Sequence, residues 1–194
     1  MKRVDSLTDN QVMRQVRDGE VEKLGVLFER HHPSLFNFFA RLTGNREFSE
    51  DLAQEVFLRM LKYRQSFRPE NQFRSWMFQI ARNVHFDGLR RHYREARLSE
   101  AEADALAETP CPRPQPDRLA GQQSEISLLE QALDRLPVEK RELLLLARVQ
   151  NLKYAEVAEI LGCEVATVKV RVHRALAELR EIFQKLTGEK RYEM

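Results

Sequence analysis

Residues 154 to 176, YAEVAEILGCEVATVKVRVHRAL, carry two apolar stripes at helical spacing on either side of a single glycine. This pattern leaves that part of the chain little choice but a pair of helices joined by a tight turn. In the first helix Val157, Ala158 and Leu161 share one face, Ala158 is small enough to admit a second helix, and Gly162 supplies the backbone angle that ends it. Gly162, Cys163 and Glu164 form the turn. In the second helix Val165, Val168, Val172, Leu176 and Leu179 face inward, leaving Thr167, Lys169, Val170, Arg171, His173 and Arg174 outside. A cationic outer helix after a glycine turn is a helix-turn-helix, and its face suits a DNA major groove. Arg and Lys read guanine edges or neutralise phosphates, Thr167 bonds a phosphate or base, and Val170 meets a thymine methyl. A solvated basic helix in an ordinary bundle is the competing interpretation.

The rest of the chain has no alternating apolar pattern and punctuates into helices, so the expected fold is all-α. Thr8 and Gln11 resemble a capping box opening a first helix that Gly19 closes. A second runs from about Val21 to Leu42, with a kink or break at Pro33 and an end at Gly44. Ser49 is the expected cap of a third reaching about Tyr63, and a fourth runs from about Phe73 to Tyr93, burying Phe73, Met77, Ile80 and Val84. Ten of the 11 phenylalanines lie between Phe28 and Phe86, whereas the second half relies on Leu, Val and Ala, so two separate cores are expected. Four of the seven prolines fall in TPCPRPQPD, residues 109–117, which cannot continue a helix. The expected architecture is therefore two small helical domains, 1–94 and 124–194, joined by a Pro-rich linker over 95–123. Pro137 separates a helix over Ile126 to Leu136 from one over Val138 to Val149, in which the run Leu143 to Ala147 is core.

The net charge of +2 conceals segregation, with Arg82, Arg90, Arg91, Arg94 and Arg97 followed by the acidic Glu100, Glu102, Asp104 and Glu108. Cys111 and Cys163 make neither a zinc pattern nor a disulfide framework, and no signal peptide or spanning run is present, so a reduced cytoplasmic protein without a cofactor is expected. On the third helix Leu52, Ala53, Val56, Phe57 and Met60 share one side, while Asp51, Gln54, Glu55 and Leu58 share the other. A leucine ringed by acids has the character of a docking face, although single exposed leucines are common.

DLAQEVFLRML at 51–61, SFRPENQFRSWMFQIARNVHFDGLRR at 66–91, LDRLPVEKRELLLL at 133–146 and the helix-turn-helix together resemble the extracytoplasmic-function class of bacterial sigma factors. The resemblance runs from about Gly25 to Ile182, interrupted by the linker. It implies a non-enzymatic protein that binds core RNA polymerase, melts the minus-ten element with its first domain and reads the minus-thirty-five element with its last. By similarity, Asp51, Gln54, Glu55 and Leu58 dock on the clamp coiled coil of the large polymerase subunit. The segment 66–91 captures an unstacked base and the melted strand, with Phe67, Arg68, Asn71, Phe73 and Asn83 as candidates and Arg82, Arg90 and Arg91 near phosphates. Phe73 and Trp76 are also candidates for core. Lys169, Val170, His173 and Arg174 face the minus-thirty-five element, with Arg171 nearby on the backbone. The family often has a small polar residue at Val170 and an arginine at Leu176, which leaves the promoter sequence unread. The resemblance also implies a dedicated anti-sigma factor and a linker threaded through the polymerase cleft.

The alternative is a stand-alone helix-turn-helix regulator with an N-terminal effector or dimerisation domain, which would bind DNA tightly without polymerase. An enzyme would have to use His31, His32, Glu29 or Asp51 as metal ligands, and adjacent histidines on a helix diverge.

Overall fold

The computed structural model describes residues 7–68, 70, 72–102 and 125–191, and every regular element among them is helical. The chain divides into two compact units, the first drawn from residues before 115 and the second from the remainder together with residues 40–44.

In the first unit, α1 (Asp9–Arg17) opens on the expected box: the Thr8 N–H donates to Gln11 Oε1 at 2.8 Å, and the Thr8 hydroxyl accepts from the Gln11 N–H at 3.3 Å. A 3-10 turn at Val21–Lys23 leads into α2 (Leu24–Thr43). Of the kink or break expected at Pro33, the break does not occur: Pro33 lies inside the helix. It removes one backbone donor, a loss offset by the burial of Leu27, Leu35, Phe38 and Phe39 along the same helix.

Helix α3 (Arg46–Lys62) starts earlier than Ser49. Its cap is Asn45, whose Oδ1 accepts from the Phe48 N–H at 3.0 Å, while Ser49 is buried within the first turn and its hydroxyl donates to the Asn45 carbonyl. Helix α4 (Phe73–Glu102) also outruns its expected end at Tyr93 and enters the segment assigned to the linker. Residues 94–102, REARLSEAE, contain no proline or glycine and are mostly strong helix formers, so nothing stops the helix there. The remainder of that linker lies outside the described residues.

The two inward faces are as expected: Leu52, Ala53, Val56, Phe57 and Met60 of α3 and Phe73, Met77, Ile80 and Val84 of α4 are all buried. Around them Phe38 packs edge-on against Phe39 and Phe78, each at 5.3 Å between centroids. Gly88 lets α4 approach α3, since a methyl group there would lie 2.8 Å from Leu52 Cδ2 and 3.0 Å from Phe48 Cζ.

The second unit contains α5 (Glu125–Asp134), α6 (Val138–Leu144), α7 (Tyr154–Leu161) and α8 (Val165–Arg191). Helix α6 widens into a π turn at Leu145–Val149, closed by the Gln150 N–H donating to the Leu145 carbonyl at 2.8 Å. The run Leu143 to Ala147 is buried, as its composition required. Leu128 and Ala132 of α5 pack with Leu179, Ile182, Phe183 and Leu186 of α8, which holds the far half of α8.

Candidate nucleic-acid and polymerase interfaces

The helix-turn-helix forms as its sequence dictates. Gly162 adopts φ 63, ψ 41, a left-handed conformation in which a side chain is strained. Around it the Cys163 N–H donates to the Ala158 carbonyl at 3.0 Å and the Gly162 N–H to the Glu159 carbonyl at 3.3 Å, which satisfies the end of α7 in a Schellman arrangement. Val168, Val172 and Ala175 anchor α8 inward. Lys169, Val170, Arg171, His173 and Arg174 are exposed along the opposite face, and Thr167 is half-buried at its edge. Val165 departs from expectation: it is 39% exposed, because the first residue of α8 lies beyond the reach of the α7 stripe. Ala175, too small to stand out in the apolar stripe, takes a fully buried inward position.

On α3, Asp51, Gln54 and Leu58 stand outward, with Leu58 at 63% exposure. Gln54 is tethered to Glu50 at 3.3 Å. Glu55 is less free than the wheel suggested: half-buried, it pairs with Arg59 one turn on, at 2.8 Å. His32 and Phe28 extend this side onto α2, the imidazole lying 2.9 Å from Glu50 and stacking on Phe28 at 4.7 Å.

The candidates for the melted strand separate into two groups. Phe67 and Phe73 are each 1% exposed, locked edge-on to one another at 6.5 Å and against Trp76, which is itself buried. As placed, the two rings present no exposed face and pack at the loop between α3 and α4. The Phe73 N–H donates to Asn10 Oδ1 at 2.9 Å, tying the start of α4 to α1. Asn71 lies outside the described residues, as does Cys111. Arg68, Asn83 and Arg90 are exposed, whereas Arg82 is half-buried with its guanidinium 4.9 Å above the Phe86 ring.

Asn83 and Arg90 line a groove of about 560 Å³ between α3 and α4. Its walls include Arg59, Tyr63, Trp76, Gln79, Phe86 and Asp87, residues that helical spacing alone could not single out. Tyr63, 49% exposed, offers the aromatic surface that Phe67 and Phe73 do not. Burial disfavours the charge of Arg59, but hydrogen bonds to Asp87 at 2.7 Å and Glu55 outweigh it and raise the pKa above the ordinary guanidinium value.

His31 and His32 diverge, His31 reaching Asp9 at 2.8 Å while His32 reaches Glu50. Among the described residues no group of three or more His, Cys, Asp or Glu could hold a metal ion, and no helix is long and apolar enough to cross a membrane.

Comparison with known proteins covers both units. Residues 27–95 match sigma-70 region 2, and residues 126–179 match sigma-70 region 4. The chain is 38% identical over 148 residues to the ECF RNA polymerase sigma factor EcfG of Rhodopseudomonas palustris, covering 76% of this chain and 77% of that protein. It is 32% identical over 163 residues to the ECF RNA polymerase sigma factor SigE of Mycolicibacterium smegmatis, covering 84% of this chain but 62% of that longer protein. Among solved structures it is similar to the sigma factor RpoE of Bartonella quintana, in complex there with the anti-sigma factor NepR, with a TM-score of 0.64 and 26% identity over 82% of this chain and 96% of that one. With both regions present in order and a relative 38% identical matched over 77% of its length, the chain belongs to the extracytoplasmic-function sigma factors of bacterial RNA polymerase.

Proposed function

We propose that this protein is a promoter-specificity subunit: it binds core RNA polymerase, carries it to promoters bearing a matching minus-thirty-five element, and holds the minus-ten element open. The match of regions 2 and 4 in one chain, in that order, carries this proposal. The protein initiates transcription without catalysing a reaction itself, and works in the cytoplasm beside polymerase and DNA.

Three surfaces divide the work, in domains proposed over 1–94 and 124–194 with a linker over 95–123. Asp51, Gln54, Glu55 and Leu58 are assigned to the polymerase, because acids around an exposed leucine complement a basic partner and bury one apolar anchor. Thr167, Lys169, Val170, Arg171, His173 and Arg174 are assigned to the minus-thirty-five duplex, supported by the exposed face that the last five share on α8, with Thr167 at its edge. Asn83, Arg90, Arg68 and Arg82 are assigned to the melted strand, supported for Asn83 and Arg90 by the groove they share with Tyr63. Asn83 supplies both a donor and an acceptor to a base edge, and the arginines meet phosphates. Phe67 and Phe73 are assigned a supporting part beneath that surface. An anti-sigma factor is the expected regulator, supported by the partner of the similar sigma factor from Bartonella quintana.

Run-off transcription with purified core polymerase on a library of promoter fragments tests the proposal. New start sites that appear only when the protein is added are expected; an unchanged transcript pattern would refute it.

A further inference from the structure

Helix α1 precedes the stretch 27–95 that matches sigma-70 region 2, yet it holds both ends of the segment that joins α3 to α4. Gln65, in the 3-10 turn Arg64–Ser66 that follows α3, donates from Nε2 to the Arg17 carbonyl at 2.8 Å. Further on, the Phe73 N–H that opens α4 donates to Asn10 Oδ1 at 2.9 Å. One bond reaches the last residue of α1 and the other its first turn, so the anchor points lie roughly 10 Å apart at the helical rise of about 1.5 Å per residue. Between the two ties lie Phe67, which is buried, and Arg68, which is exposed and assigned to the melted strand.

The helix that carries these ties is itself fixed. Val12, Met13 and Val16 are fully buried, and Asp9 accepts from Arg30 of α2 at 2.9 Å and lies 2.8 Å from His31 Nε2. The His31 ring sits 5.1 Å from Phe73, which in turn meets Trp76 at 6.5 Å. What the ties hold belongs to the groove: Ser66, the neighbour of Gln65, and Trp76, in the first turn of α4, are both among its walls, together with Tyr63 and Asn83. A groove between two helices of fixed register would still have a loose end where the chain crosses from one helix to the other, and α1 removes that freedom. Asn10 does so as a cap supplied by another helix, satisfying a donor that the start of α4 would otherwise leave open.

We infer that Asn10 and Gln65 are positioning residues for opening of the minus-ten element: through them α1 sets where Ser66, Arg68 and Trp76 stand relative to Asn83. The inference rests on the functional assignment above and gives a part in it to a helix outside the matched region. Because Asn10 acts as an acceptor and Gln65 as a donor, the two positions respond oppositely to a carboxylate. Asn10→Asp keeps an oxygen for the Phe73 N–H and adds negative charge at a helix N-terminus, where it is favourable. Gln65→Glu loses the donor and sets a carboxylate against the Arg17 carbonyl, two acceptors with no proton between them.

The test combines two measurements on the full chain. Amide hydrogen exchange of the free protein follows the Phe73 N–H, and permanganate reactivity of thymines follows opening by the holoenzyme at a promoter identified by run-off transcription. Asn10→Ala should speed exchange at Phe73 by about twofold to thirtyfold, the range for loss of one helix cap. It should also lower thymine reactivity by about twofold to tenfold, as the fraction of correctly placed segment falls. Gln65→Ala and Gln65→Glu should each lower reactivity by about twofold, a smaller loss because this bond is exposed. Asn10→Asp should retain the exchange and the opening of the unsubstituted chain. Association with core polymerase, followed by titration at a temperature where melting curves show each variant folded, should be unchanged throughout, which a general loss of structure would not allow. Opening unmoved by Asn10→Ala and Gln65→Glu, opening lost as fully in Asn10→Asp as in Asn10→Ala, or core association falling in step with opening would each overturn the inference. If the unsubstituted holoenzyme opens promoters in those cases, only the part given to α1 has failed; if it opens none, the functional assignment has failed and the inference with it.

Discussion

Two glycines, one in the first turn of α2 and one inside α4, show how far a residue's meaning depends on what faces it. At Gly25 a methyl group would meet nothing within 4 Å, whereas at Gly88 it would lie 2.8 Å from Leu52. Gly25→Ala should therefore raise stability by about 0.5–1 kcal/mol through reduced backbone entropy. Gly88→Ala should lower it, by about 1–3 kcal/mol, because the ends of the Leu52 and Phe48 side chains must give way. Denaturant unfolding of the two variants checks both signs. A third residue links stability to pH. Burial lowers the pKa of His31 below its ordinary 6.5, against the opposing pull of Asp9 and with help from Arg74 and Arg30. The unfolded chain thus binds the proton more readily, so stability is full above 6.5 and declines as pH falls from there towards the folded-state pKa. Replacing His31 with Gln should flatten that decline, as followed by thermal melting between about pH 7 and pH 5.5. None of these three effects is evident in a one-dimensional pattern, since each depends on the surroundings that folding brings to the residue.

At the scale of elements, the sequence is informative wherever periodicity and capping decide the outcome locally. The Thr8 and Gln11 box, the Gly162 turn, both inward faces of α3 and α4, and the outward cations of α8 are all visible in spacing alone. Spacing misleads where two residues compete for one role or where nothing marks a stop. Asn45 displaces Ser49 as the cap of α3 because the helix can start a turn earlier, and α4 continues to Glu102 because its composition contains no breaker. Phe73 is legible as buried from its place on the inward stripe of α4, whereas Phe67, in the loop before it, carries no periodic signal and is legible as aromatic but not as buried. The groove of Tyr63, Asn83 and Asp87 has no signature in spacing because the register between α3 and α4 fixes it. The exposed faces carry their own expected outcomes. Asp51→Arg and Leu58→Asp should each weaken association with core polymerase by tenfold or more, on the order of a hot-spot loss, while leaving the melting temperature unchanged because both side chains point to solvent. Lys169→Ala and Arg174→Ala should instead reduce minus-thirty-five duplex binding by the holoenzyme by about fivefold to a hundredfold each, with core association intact. Equilibrium titrations with core polymerase and with promoter duplex separate the two classes.

In the whole molecule, two helical units divide the labour, one assigned to the polymerase and the melted strand, the other to duplex DNA. Neither task needs the other unit's chemistry: the first relies on an acidic helix face and a polar groove, the second on a cationic face exposed by a glycine turn. A stand-alone regulator would need only the second. The most direct measurement is permanganate reactivity of thymines in a promoter fragment, taken with the protein alone, with core polymerase alone and with both. Reactive thymines around the minus-ten element are expected only when both are present. Tight protection of the duplex by the protein alone, with no thymine becoming reactive when polymerase is added, would contradict that division of labour.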